Sequence, residues 1–365
     1  MKEFRDRKVL AGLLRTIGRQ AKQAGPPLRL MEVCGTHTMT IHRYGLQPML
    51  EQAGVVMTSG PGCPVCITPD AYHEAAIGLV TGRENIILAT FGDMTRVPTP
   101  RGSLQTVVPA AGSRLKIVYS PQEALEAARQ NPGREVIFFG VGFETTIPSI
   151  ALTIKQAARE RLSNFCVLSA LWIIPPPLRA ILESGEVRLQ GFLYPGHVSA
   201  IIGLRPYAFV AEEFGVPGAV AGFEPADILL AVSSILGQII QKRPAVANVY
   251  GRVVRDEGNP RALAIMEEML EVKDALWRGL GLIPKSGLRI RDSYGAWDAE
   301  KKHGLRLEPG LAELAGCRCG EVLRGALAPP ECGLFGRICN PESPRGPCMV
   351  SLEGACLVYY KYSRR

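Results

Sequence analysis

Between Leu28 and about Ala245 short apolar runs alternate with segments of helical period, and this alternation constrains the fold more than any other feature of the chain. Apolar runs of about four to eight residues separated by helices imply βαβ units and a parallel sheet. Strands are expected over 28–33, 55–59, 85–90, 115–119, 135–140, 165–170, 189–193 and 219–222, with helices over 70–82, 122–130, 145–162 and 226–241. The fold class is therefore α/β; eight strands could form one sheet, a barrel or two smaller sheets, and two similar parallel-sheet domains, 26–120 and 121–247, followed by a small C-terminal domain, are favoured. The break is placed near Ser120-Pro121, because each half carries its own set of polar loops. Residues 1–25 read as a solvated amphipathic helix, with Leu10, Leu13, Leu14 and Ile17 on one side. After about Asn248 the composition changes. Residues 259–277 read as a helix, and from Gly304 onward Gly, Pro and Cys dominate. Within the C-terminal domain, 248–365, the part from Gly304 onward has too little apolar periodicity to hold itself, and calls for a staple.

Hydrophobic residues make up 47% and charged residues 21%, which excludes a disordered chain. No apolar run reaches the roughly 18 residues of a membrane span, and the first residues lack the apolar core of a signal peptide. A cytoplasmic chain without membrane partners is expected. The net charge of +8 is scattered, with one dense basic run at Lys361-Tyr-Ser-Arg-Arg365 and no extended motif that interleaves aromatic with basic residues. Nucleic acid is not an expected partner, because clustering matters more than net charge. The ten cysteines are more informative. In a reducing compartment closely spaced cysteines are metal ligands or redox thiols. Cys166 stands apart, in the apolar run Asn164-Phe-Cys-Val-Leu-Ser169, as a buried inert thiol.

Each of the first three strands runs into a reactive loop: Cys34-Gly-Thr-His37, Gly60-Pro-Gly-Cys63-Pro-Val-Cys66, and Phe91-Gly-Asp93-Met-Thr-Arg96. Ligands of an open parallel sheet bind beyond the carboxyl ends of its strands, so these loops should converge. If a helix follows the first strand, Cys34 lies at its N-terminus, where backbone N–H groups favour a thiolate. His37 could share a metal or relay a proton. Cys63 and Cys66 suit a redox dithiol or half a zinc site, and no second Cys-x-x-Cys pair exists to complete the latter. Asp93 and Arg96 fit a surface ion pair or a supporting role beside the cysteine loops. In the second half, strands lead into Glu144, His197 and Glu224; the run Gly140-Val-Gly-Phe-Glu-Thr145 only half-matches a dinucleotide fingerprint. The tail carries Cys317, Cys332, Cys339 and Cys356, separated by 14, 6 and 16 residues, with Cys319 and Cys348 interleaved. Four thiolates at irregular spacing suit a [4Fe–4S] cluster better than zinc, with Cys319 and Cys348 as alternative ligands.

These motifs, with Gly142-Phe-Glu-Thr-Thr146, Pro195-Gly-His-Val198, Cys317-Arg-Cys-Gly-Glu-Val-Leu-Arg-Gly325 and Gly346-Pro-Cys-Met-Val-Ser-Leu-Glu-Gly-Ala-Cys356, resemble the HypD family of hydrogenase maturation factors from about Arg29 to Tyr362. Leu352 departs from the pattern, where a polar residue is more usual. The resemblance implies a scaffold for the Fe(CN)2CO group of [NiFe]-hydrogenases. It implies two α/β domains and a cluster domain beside a dithiol, as in ferredoxin:thioredoxin reductase. It implies a HypC-type chaperone and a HypE-type cyanide donor as partners. Carried over, Cys34 would hold the iron with His37 beside it, Cys63 and Cys66 would be the dithiol, and Asp93, His197 and Glu353 would be polar groups around the cleft. Two other classes fit the residues less fully: a cluster-dependent disulfide reductase, and a zinc-stapled binding module.

Overall fold

The structure is a computed structural model that describes residues 2–108, 114–307 and 316–363. Arg364 and Arg365 of the basic run, and 308–315 of the Gly-, Pro- and Cys-rich segment, lie outside the described residues. The strands are β1 (Leu28–Glu32), β2 (Val55–Ser59), β3 (Ile86–Thr90), β4 (Leu115–Ile117), β5 (Glu135–Gly142), β6 (Phe165–Trp172), β7 (Gly191–Pro195), β8 (Gly218–Ala221), β9 (Val246–Asn248), β10 (Leu270–Trp277) and β11 (Gly281–Ile290). They form two mostly parallel sheets with helices between strands, the α/β architecture that the alternation implies.

The first sheet has the order β2-β1-β7-β8-β9 and is parallel throughout. The second has the order β10-β11-β6-β5-β3-β4, parallel from β6 to β4, with the β10–β11 hairpin antiparallel at one end. Sheet membership does not follow the expected break at Ser120-Pro121. After β2 the chain leaves the first sheet, builds β3 to β6, and returns to set β7 beside β1, with Leu30 opposite Gly191. The return is a close fit: a Cβ at Gly191 would lie 2.5 Å from Ile235 Cγ2.

A second correction concerns 259–277. The helix covers only Pro260–Met269, capped by Asn259, and the chain then becomes strand β10. The last part of the segment alternates, burying Ala275 and Trp277 against β11. Gly279 and Gly281, at φ 77° and 82°, turn the chain where a side chain would be strained. The hairpin therefore belongs to the second sheet, not to a separate C-terminal body.

Both sheets and the tail share one core. The helices Arg7–Ala24 and Pro225–Gln241 cover one face of the first sheet through Ile17, Leu30, Leu193 and Ile235. The largest apolar cluster runs from Met31 and Cys66 through Tyr72, Trp172 and Trp277 to Cys319 and Cys348. Each fully buried large side chain contributes roughly 1.5–3 kcal/mol. Trp172 and Trp277 also satisfy their indole N–H groups, on Thr68 Oγ1 at 3.2 Å and Ser286 Oγ at 2.8 Å. This shared core fixes the loop of Cys63 and Cys66 against the tail. No helix among the described residues is long and apolar enough to cross a membrane.

Candidate metal centre

In the first sheet β2, β1, β7 and β8 are successive neighbours, so the loops leaving their carboxyl ends meet. Cys34 follows β1, Cys63 and Cys66 follow β2, His197 follows β7, and Phe223 follows β8. Asp93 follows β3, which lies in the other sheet; it reaches the site by another route, described below.

Cys34 is the N-cap of the Gly35–Arg43 helix and is 2% exposed. Its Sγ lies 3.8 Å from His197 Nδ1 and 3.9 Å from Nε2, so the thiol faces the imidazole ring. His37, one turn into the helix, is buried with Nε2 3.3 Å from the Ala221 carbonyl at the end of β8. Its Nδ1 is buried without a partner. The Phe223 ring sits 5.2 Å from the His37 ring and 5.1 Å from the His197 ring. Burial holds both imidazoles neutral, pushing His37 down to about 3, with His197 adding to the effect, and His197 down to about 4.

The helix start lies where the spacing places it, but the thiol is not a ready thiolate. Burial pushes Cys34 well above the usual thiol range, and the Glu353 and Glu32 carboxyls push it the same way. The amides of His37 and Thr36 pull in the opposite direction and lose. A cation or a proton acceptor must draw off this proton before the sulfur can act as a ligand.

Glu32 is a member of the site that sequence reasoning missed. It is 1% exposed, and its Oε2 accepts the Cys34 N–H at 2.9 Å while Oε1 accepts the Thr38 hydroxyl. Burial pushes its carboxyl up to about 8, against the hydrogen bonds that lower it. The available signal was a carboxylate within the apolar strand Leu28-Arg-Leu-Met-Glu32.

The cysteine loops touch through glycine. Gly35 N–H donates to the Gly62 carbonyl at 3.1 Å, and a Cβ at Gly62 would lie 2.3 Å from Cys34 N. Beyond that contact Cys63 caps the short Pro64–Ile67 helix, its Sγ accepting Cys66 N–H at 3.2 Å. Cys63 and Cys66 are joined as a disulfide, 3% and 0% exposed.

The tail closes the other side. Thr36 Oγ1 donates to Glu353 Oε1 at 3.1 Å, and a Cβ at Gly35 would lie 2.3 Å from the Glu353 carbonyl oxygen. Asp93 accepts the Leu352 N–H at 3.2 Å, and Arg96 donates to the Val350 carbonyl at 3.2 Å. Asp93 and Arg96, 3.4 Å apart as an ion pair, thus hold the strap that carries Glu353. The Ala355–Tyr362 helix packs on the Cys34 helix, with His42 Nδ1 2.8 Å from Ser363 Oγ and the His42 and Tyr359 rings 4.0 Å apart. Cys317, Cys319, Cys332, Cys339 and Cys356 line one small hollow with Leu334, Phe335 and Met349. Cys348 lies beside it, against Cys319 and Cys356.

Glu144 is separate from these groups, at the end of β5. It is buried, its Oε1 accepts the Ile174 N–H at 2.9 Å, and burial pushes it up to about 7. The glycines of the half-fingerprint serve packing: a Cβ at Gly142 would lie 2.5 Å from Thr146 Cβ.

The HypD model, described as the hydrogenase formation hypA family, matches residues 8–363. This chain belongs to the HypD family. The hydrogenase maturation factor HypD of Rhodobacter capsulatus is 49% identical over 368 aligned positions, covering 99% of this chain and 97% of the relative. The HypD proteins of Azotobacter vinelandii and Escherichia coli are 43% and 42% identical, covering 100% and 93% of this chain and 96% and 90% of those relatives. The motifs that meet at the ends of β1, β2 and β7 therefore sit in a chain similar to HypD almost throughout.

Proposed function

We propose that this chain is an iron–sulfur scaffold and redox protein for assembly of the Fe(CN)2CO group of [NiFe]-hydrogenases, with that iron as its cargo at Cys34. The observation that carries the reading is a single buried cysteine facing a neutral imidazole, with a disulfide loop docked on one side and the tail on the other.

Iron binding requires loss of the Cys34 proton. The iron itself must drive that loss, because burial disfavours charge on the thiol and equally on the His197 imidazole 3.8 Å away. One cysteine chelates weakly, so a second thiolate from a HypC-type chaperone completes the site, and a HypE-type protein donates cyanide. The Cys63–Cys66 disulfide accepts two electrons and two protons to become a dithiol next to Cys34. Its burial disfavours the competing reading as a reductase of protein substrates, which would have to reach the sulfurs.

The tail fits the [4Fe–4S] cluster that the family resemblance implies. Cys317, Cys332, Cys339 and Cys356 line the same hollow, and its remaining wall is largely apolar. Arg345 N–H lies 3.3 Å from Cys339 Sγ, and a Cβ at Gly346 would lie 2.6 Å from Cys317 Sγ, so the backbone leaves room at the sulfurs. When bound, the cluster would supply single electrons beside the dithiol.

Visible absorption with iron and sulfide counts on anaerobically purified protein tests the reading. About four irons and four sulfides per chain, with further iron in the HypC-type complex that Cys34→Ala loses, are expected. A colourless protein that binds zinc would overturn it.

A further inference from the structure

We propose that the groove along β2 receives an extended, acidic segment of a partner protein as a sixth strand of the first sheet.

Among the described residues the two sheets end in four edge strands, β2, β9, β10 and β4. An exposed edge pairs with foreign chains unless charge, proline, a bulge or brevity blunts it. β10 carries Glu271, Lys273 and Asp274, and its register shifts between Lys273 and Ala275. β4 and β9 are three residues long, the first with Lys116 at its centre and the second just after Pro244. β2 reads Val55-Val-Met-Thr-Ser59, with no charge, no proline and no break in its register with β1. It is the edge left open.

The backbone of that edge points outward at alternate residues. Gly60 N–H donates to the Glu32 carbonyl at 2.8 Å, so Thr58 and Val56 face β1 in the same way. Val55, Met57 and Ser59 therefore turn their N–H and C=O groups away from it. The Met57 carbonyl accepts Gln47 Nε2 at 3.3 Å, a surface side chain that the N–H of a guest strand can replace.

A groove of about 1030 Å3 runs beside this edge, and its walls extend the layers that already cover the sheet. Gln47, Pro48 and Glu51 form one wall, from the Leu46–Gln52 helix that packs with Val55 and Met57. The segment 325–331 forms the other, on the opposite face, where a Cβ at Gly325 would lie 2.6 Å from both Met31 Cε and Thr58 Cγ2. Val56 lines the groove and is 42% exposed. A neighbouring strand lies about 4.8 Å from the last one, and the groove is open where it would run.

The charge of the groove selects the guest. Arg29, Arg43 and Lys361 line it without an ion pair among the described residues. Glu51 and Glu331 line it too, but each already accepts a hydrogen bond from its own segment, from Gln47 Nε2 at 2.7 Å and the Ala328 N–H at 2.6 Å. Arg29 is the register partner of Val56, so a guest carboxylate on that face has a cation beside it. Main-chain pairing supplies affinity in such strand addition, and the alternate side chains supply selectivity.

The full chain is titrated into a fluorescein-labelled peptide of about seven alternating valine and glutamate residues, with anisotropy read at about 50 mM salt. Saturable binding is expected. It should weaken about tenfold in the Arg29→Glu/Arg43→Glu variant, and about tenfold when lysine replaces glutamate in the peptide. N-methylation of one alternate set of peptide amides should weaken it at least about tenfold and of the other set less than about threefold, because only one set faces β2. The peptide arms use the wild-type chain, so they hold whether or not the variant folds. No saturable binding up to about 1 mM overturns the proposal. Binding that neither set of N-methyl groups disturbs also overturns it, as charge attraction without strand pairing. Sedimentation of the chain alone gives the last arm: a dimer that the peptide dissociates would make a second copy the occupant, and would overturn the acidic partner.

Discussion

The Cys34 cleft and the tail cysteine hollow are both built of thiols, yet they are held in opposite ways. Cys34 is fixed by a parallel sheet: its N–H is bound by Glu32, its loop is locked to Gly62, and its strand lies between β2 and β7. The tail cysteines sit on short turns around a small apolar cluster of Cys339, Met349 and Leu357. The first site is set by strand order, whereas the second rests on turns, with Cys319 and Cys348 its only thiols buried in the main core. The proposed scaffold role would use this division, because cargo iron would leave without unfolding its site while a resident cluster would stay.

The sharpest way to break the comparison is to remove one thiol from each region. Cys339→Ala is expected to lose the visible chromophore and to destabilise the tail by several kcal/mol, on the order seen when a structural metal is withdrawn. Limited proteolysis should then cut within 316–363 and spare both sheets. Unchanged absorption would remove Cys339 from the ligand set.

Truncating a support of the cleft should cost less. Glu32→Ala leaves the Cys34 N–H buried and unpaired, at a cost of about 2–3 kcal/mol, and Glu32→Gln, which can still accept it, less than about 1 kcal/mol. Denaturant midpoints of the two variants separate them; equal midpoints would show that the hydrogen bond contributes nothing.

The second sheet supplies a pH-dependent contrast. Glu144 is pushed by burial up to about 7, so the folded state binds its proton more tightly than the unfolded chain does. The stabilisation is complete below the unfolded carboxyl range near pH 4.5 and is lost as pH rises through about 7, on the order of 3 kcal/mol. Glu144→Gln should flatten that limb of a stability–pH profile, and a profile identical to wild type would contradict the burial argument.

The smallest effect belongs to the strap. Asp93→Asn removes a partly exposed ion pair with Arg96 and should cost under about 1 kcal/mol. It should speed amide exchange over 350–354 by about threefold, without touching the chromophore.

Much of the cleft was legible because it depends on local pattern. Strand period, the change to helix at Cys34, and a Gly- and Pro-stiffened loop at Cys63 are all readable along the chain. The partition into sheets was not, since β7 finds β1 across more than a hundred residues and nothing local in either strand names its partner. The β10–β11 hairpin was hidden because its first strand continues a real helix without a break. Glu32 was hidden because it lies inside the 28–33 strand, where nothing local shows that its carboxylate binds the Cys34 amide. The thiol of Cys34 shows the limit of motif reasoning most clearly. A helix N-terminus promised a thiolate, and burial, which no motif records, outweighed it.

The central claim is that Cys34 carries the cargo iron, and infrared spectroscopy of the HypC-type complex tests it most directly, because cyanide and carbonyl ligands absorb where protein is nearly silent. Cys34→Ala should leave the fold and the tail chromophore intact and abolish the cyanide and carbonyl bands. Bands at full intensity in the Cys34→Ala complex would contradict the account.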